Sequence, residues 1–166
     1  MNVAHLNQLT EQQATERLLQ CCSSSAWVSA LVQARPFLDK NDLVAKADLA
    51  WQNLTEADYL AAFAGHPQIG DLATLRAKYA NTQALASDEQ SAVRAASEQV
   101  IASLAQANAQ YLEKFGFIFI VCATGKTAEQ MLALLQQRLV NDKATELRNA
   151  AAEQRKIFHL RLEKLS

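Results

Sequence analysis

Apolar residues recur three and four positions apart along most of this chain, and short polar groups cut that pattern into helices. Thr10-Glu11-Gln12-Gln13 has the form of a capping box, which predicts a helix from there to about Cys22. Ser23-Ser24-Ser25 is a polar break. A second helix is expected from Ala26 to about Ala34, with Trp27, Ala30, Leu31 and Ala34 on one face. Arg35-Pro36-Phe37 ends it, because proline disfavours helical backbone in the residue before it. A third helix starts near Asn41 or Asp42 and carries Leu43, Val44, Ala47 and Trp51. A fourth begins at Thr55, with Asp58 three residues on, and stops at Gly65-His66-Pro67. Gly65 is expected to take the left-handed conformation that closes helices, and Pro67 lacks the N–H to resume one. The stretch around His5 reads as a frayed end.

A short helix follows from Asp71 to about Tyr79, then a polar loop from Asn81 to Ala86. The longest helix starts at Ser87, where a capping hydroxyl precedes Gln90 by three residues. Its inward row reads Val93, Ala96, Val100, Leu104, Ala107 and Tyr111. Phe115 to Cys122 is the one strongly β-prone run, suited to an extended segment buried on both sides. Gly125-Lys126-Thr127 resembles the end of a phosphate-binding loop, but that motif needs glycine at position 120, which is Ile120. The triplet instead opens a helix from about Ala128 to Val140. The last helix runs from about Lys143 to Lys164, with the inward row Leu147, Ala151, Gln154, Phe158, Arg161 and Leu165.

Composition narrows the class. A chain of 166 residues with 4 Gly and 2 Pro fits one helical domain and disfavours a turn-rich β architecture. Basic and acidic residues number 16 and 17 without a basic run, so nucleic acid and anionic membrane are poor partners. Cys21, Cys22 and Cys122 form neither a disulfide framework nor a CxxC metal knuckle. The first residues lack the pattern of a signal peptide, Lys164-Leu165-Ser166 is not a peroxisomal address, and no apolar run approaches a membrane span. The expected compartment is the cytoplasm.

Three residues could carry chemistry. His66 stands on a stiff turn, either as a surface loop histidine or as an acid/base whose ordinary pKa of about 6.5 suits neutral pH. Glu89 lies four residues before Val93, in line with the inward row; it either supports the helix dipole or acts on a ligand. Arg161 falls on the apolar row of the last helix. It snorkels outward, pairs with Glu89, or holds a ligand carboxylate as a bidentate fork. His159 is off this row and reads as a surface residue.

Four motifs occur in order: GHPxIG at 65–70, Ser-Asp-Glu-Gln opening the long helix, FGFxFIVCATGK from Phe115, and ELxxAAxEQxKIxxLRLxKL from Glu146. Together with the Arg35-Pro36-Phe37 break, they resemble the 2-oxo-4-hydroxy-4-carboxy-5-ureidoimidazoline (OHCU) decarboxylase family over roughly residues 10 to 165. The resemblance implies an all-α single-domain bundle, a homodimer, and no metal or organic cofactor. It further implies conversion of a small anionic ureidoimidazoline to (S)-allantoin and CO2 in urate degradation. His66, Glu89 and Arg161 would be catalytic. Pro67, Ala86, Ser87, Gln90, Phe119, Ile120, Val121, Cys122 and Ala123 would line the substrate. The chain departs from the family at Ala86, where many members carry a serine; Ser87 stands one residue later. A reading from another class is a non-catalytic helical adaptor that binds a partner helix in its grooves.

Overall fold

The computed structural model describes residues 2–66, 72–79 and 88–165, with the side chains of 78 and 88–97 outside that description. Pro67, Ala86, Ser87 and the polar loop from Asn81 lie outside the described residues. The described residues form nine α-helices and no strand. In chain order these are α1 (Val3–Gln8), α2 (Glu11–Leu19), α3 (Ser25–Gln33), α4 (Lys40–Gln52), α5 (Glu56–Ala64), α6 (Leu72–Tyr79), α7 (Asp88–Phe115), α8 (Ala128–Leu139) and α9 (Lys143–Glu163). None of them is long and apolar enough to cross a membrane.

Caps set most of the boundaries. Thr10, Thr55 and Thr127 each accept from the backbone N–H three residues on, and Gln13, Asp58 and Gln130 return the bond to the cap backbone. Asp142 caps α9 by accepting from Thr145 N–H at 2.7 Å. Gly125 takes φ +74° just ahead of Thr127, so Gly125-Lys126-Thr127 is the entry to a helix. Two boundaries differ from expectation. Residues 3–8 are helical: Asn2 caps His5, Leu6 is buried, and Asn2 N–H donates to the Leu165 carbonyl at 3.3 Å. The second helix stops at Leu19, leaving Cys21 and Cys22 in a buried turn.

The residues group into two compact units. The first comprises 1–66, 120–122 and 148–166. Its core gathers Leu18, Trp27, Leu31, Leu43, Ala47, Trp51, Phe158 and Leu162. The Phe158 ring lies 4.9 Å from Trp27 and 5.6 Å from Trp51, centroid to centroid. Such pairs add about 0.5–1.5 kcal/mol each beyond the area they bury. Both indole N–H groups are satisfied by carbonyls, Trp27 on Ala47 and Trp51 on Ala151, each at 3.0 Å. Arg35 precedes a cis bond to Pro36 and donates to the carbonyls of Leu6 and Leu9.

The second unit comprises 67–119 and 123–147. There α7 packs along α8, and α6 against α7. Of the expected inward row of α7, Leu104, Ala107 and Tyr111 are buried, whereas Val100 is part-exposed and its neighbour Ile101 takes the buried place. At its centre Glu146, fully buried, pairs with Arg138 and also accepts from the Tyr111 hydroxyl at 2.8 Å and the Asn141 amide at 2.9 Å. Breaking a buried ion pair by removing one charge typically costs about 3–5 kcal/mol. The run expected to be extended begins inside α7 at Phe115, and Gly116 turns the chain out of that helix at φ +79°; the residues that follow pair into no strand among the described residues.

The end of α5 also departs from the sequence reading. Gly65 is right-handed, at φ −73° and ψ −12°, so conformation does not require a glycine. Space does: a Cβ there would collide with the Cβ and Oγ of Ser23. Gly65→Ala is therefore expected to lower stability by about 1–3 kcal/mol, the usual cost of overpacking. Urea unfolding checks this, with Ser23→Gly restoring the midpoint in the double variant. An unchanged midpoint in the single variant would refute the packing account.

Candidate active site

His66 is the second residue past α5, and its N–H donates to the Phe63 carbonyl at 3.1 Å. The side chain is half-buried in the first unit. Its Nε2 lies 2.5 Å from Oε1 of Gln154, a residue of α9 that is 1% exposed. An amide oxygen only accepts, so in this arrangement Nε2 carries the proton and Nδ1 holds the basic lone pair. Gln154 Nε2 is buried and has no hydrogen-bond partner among the described residues.

Arg161 lies seven residues beyond Gln154, in the last turn of α9. It is exposed, which corrects its placement on the apolar row. The buried positions of α9 are Glu146, Ala150, Gln154, Phe158 and Leu162, a strict four-residue ridge. Alternating steps of four and three instead lead to Arg161, one residue short of Leu162. The guanidinium reaches sideways, and Nη1 donates to the Cys21 carbonyl at 3.3 Å.

Burial holds the His66 imidazole below the ordinary histidine value, with the Arg161 charge acting in the same direction and the Gln154 bond opposing both. The ring is therefore neutral at pH 7, able to accept a proton. Burial also pushes the Cys21 thiol up to about 12 and the Cys22 thiol to about 11, so neither is a nucleophile near neutral pH.

The remaining expected residues divide between the units. Ile120 is buried in the first unit, and Val121 and Cys122 are part-exposed there. The Cys122 N–H donates to Glu153 Oε1 at 3.3 Å. Phe119 and Ala123 belong to the second unit. The Phe119 ring stands 5.3 Å from Tyr111 and beneath the Arg138 guanidinium, and the Ala123 carbonyl accepts from Lys126 N–H. Glu89 and Gln90 occupy the first turn of α7, and their side chains are outside the described residues.

His159 is not a free surface residue. Its Nε2 lies 2.6 Å from Asp48 Oδ1, and Arg155 grips the same carboxylate at 2.8 and 2.7 Å. Asp48 and His159, with Lys40, Val44, Leu160 and Cys122, line a groove of about 770 Å³ that excludes His66, Gln154 and Arg161. Sequence reading placed Gln154 on the inward row without giving it a role. Its signal was a carboxamide among apolar neighbours.

A helical fold that holds a neutral histidine against a buried amide, beside an arginine, has the makings of an acid/base site for an anionic ligand. The comparisons give that class a family. The OHCU decarboxylase family model matches residues 7–163. The uric acid degradation bifunctional protein TTL of Arabidopsis thaliana is 34% identical over 145 residues, covering 87% of this chain and 45% of that protein. The 2-oxo-4-hydroxy-4-carboxy-5-ureidoimidazoline decarboxylase of Amia calva is 28% identical, covering 98% of this chain and 93% of that one. A crystal structure of OHCU decarboxylase in the presence of (S)-allantoin matches with a TM-score of 0.71 at 35% identity, over 91% of this chain and 96% of that chain. The chain thus spans less than half of the Arabidopsis bifunctional protein, and nearly all of the other two. It belongs to the OHCU decarboxylase family.

The depressed His66 value has a definite sign. The unfolded chain takes up a proton near pH 6.5 and the folded chain only at lower pH. The contribution of this group to stability is complete above about 6.5 and is lost as pH falls through the folded value. An NMR titration of the folded protein is expected to show the His66 midpoint below 6.5. A midpoint at or above 6.5 would overturn the assignment of a neutral, desolvated ring.

Proposed function

We propose that this protein decarboxylates OHCU to (S)-allantoin and CO2 in uric acid degradation, with no metal or organic cofactor. The observation that carries the reading is the family match across 7–163 combined with the neutral, oriented His66 inside it. That match runs through both compact units, which supports a single functional domain. Loss of CO2 breaks the bond to the carboxylate carbon and leaves an electron pair that the conjugated imidazolone can accept. The enzyme then has to supply orientation, electrostatics and one proton to one face. Arg161 is the residue suited to hold the anionic substrate, as a planar fork for a carboxylate. His66 takes the substrate's hydroxyl proton on Nδ1 as CO2 leaves and returns it to one face of the resulting enolate, while the ring nitrogen that receives the electron pair is protonated from solvent. Glu89 enters from the family motif, as the carboxylate that orients groups beside the reacting carbon. The contacts proposed for Pro67, Ala86, Ser87, Gln90 and residues 119–123 rest on the family resemblance.

Freshly generated OHCU, followed by absorbance and circular dichroism, tests the reading. The protein is expected to speed its decay and to yield the S product. His66→Ala should lose about 10²–10⁴-fold in rate, the usual contribution of a positioned acid/base. Near-wild-type rates in that variant would remove His66 from the mechanism. Decay no faster than the spontaneous background would favour the helical adaptor instead. A cytoplasmic homodimer belongs to the same proposal; light scattering is then expected to give twice the 18.3 kDa chain mass, and a single chain mass would refute it.

A further inference from the structure

We propose that Gln154 is the positioning residue for His66: it holds the imidazole in the tautomer that leaves Nδ1 basic, and is kept in the core for that purpose rather than for stability. This rests on the decarboxylase reading above and gives a role to a residue that the family motif contains without one.

Three observations point to this role. The first is geometric: Nε2 of His66 and Oε1 of Gln154 are 2.5 Å apart, and no other described side chain hydrogen-bonds that ring. The second is the setting. Gln154 occupies the middle of the buried ridge of α9, between Ala150 and Phe158, where a leucine or methionine would fill the same space. The third is the amide nitrogen, buried and unpartnered among the described residues. An orphaned buried donor has lost its water without gaining a partner, so this group works against folding. A residue retained at such a cost, with its one hydrogen bond aimed at a candidate acid/base, marks function rather than packing.

The chemical consequence follows from the ring. Imidazole exchanges its proton freely between two nitrogens when nothing distinguishes them. A fixed acceptor at Nε2 keeps the proton there in every neutral molecule, so Nδ1 always presents its lone pair. The same acceptor stabilises the imidazolium that forms when Nδ1 takes a proton. Among the described groups around His66, the charge acting on it is Arg161, which opposes that cation. Cys21 and Cys22, in the adjoining turn, stay protonated and carry no charge. Gln154 is therefore the group that works for the imidazolium.

Gln154→Leu and Gln154→Glu provide the test. Gln154→Leu is expected to match or exceed the wild-type melting temperature while kcat falls about 10²-fold, the scale of a misplaced catalytic group, with KM little changed. The acid limb of its pH–rate profile should move to lower pH, because the imidazolium has lost its acceptor. Gln154→Glu keeps an acceptor and adds a charge, so it should recover most of kcat and move the same limb to higher pH. In ¹⁵N spectra the wild-type ring should show Nε2–H alone, and the leucine variant a mixture of tautomers. An unchanged kcat and pH profile in Gln154→Leu, alongside an active wild-type enzyme that needs His66, overturns the proposal and leaves the decarboxylase reading standing. If the wild type fails to decarboxylate OHCU, the ¹⁵N tautomer measurement still decides: a ring unchanged by Gln154→Leu overturns the positioning role.

Discussion

The hydrogen bond between His66 and Gln154 joins the end of α5 to the middle of α9, and the first unit is arranged so that it can form. Its two partners come from positions 88 residues apart, so neither is useful until the core has closed. Phe158, one turn beyond Gln154, is clasped by Trp27 and Trp51, which fixes the rotation of α9. Trp51 in turn donates to the Ala151 carbonyl, which fixes its height. The other partner is aimed by close approach: Ser23 fills the space a Cβ on Gly65 would need, and His66 follows directly. A core built mainly of hydrocarbon thus delivers two polar groups to within one hydrogen bond of each other.

Much of this was legible in the chain, and the legible part is local. Thr10, Thr55 and Thr127 announce helix starts because the cap and its return partner lie three residues apart, a distance that needs no tertiary knowledge. What went unread depends on distant neighbours. The N-terminal helix exists because Leu6 finds a core and Asn2 finds the Leu165 carbonyl. The face of α9 was misjudged at Arg161 because a stripe of fours and threes assumes one straight core, whereas the buried ridge advances by four each time to Leu162. The partner of His159, Asp48, is 111 positions away, beyond the reach of any local pattern. Within the candidate site, His66 and Arg161 were nominated from pattern and motif. Gln154 was on the page as a polar residue in an apolar row, but only the folded geometry says what it bonds to.

The two units solve the problem of buried polarity in different ways. In the second, Glu146 is surrounded by Arg138, Tyr111 and Asn141 and spends its acceptor capacity on all three. Such a network rigidifies the core around it. In the first, Gln154 is satisfied on one side only. A half-satisfied group is the costlier arrangement, and it is the one found beside the candidate acid/base.

Both tryptophans, Trp27 and Trp51, sit in the first unit, locked by indole N–H bonds and packed at an angle against Phe158. The second unit has none; its aromatic cluster is Tyr111, Phe115, Phe117 and Phe119. The chain is therefore spectroscopically lopsided. Indole fluorescence watches one unit alone, while far-ultraviolet ellipticity sums the helices of both, so comparing the two signals during unfolding reads out directly whether the units melt as one cooperative body.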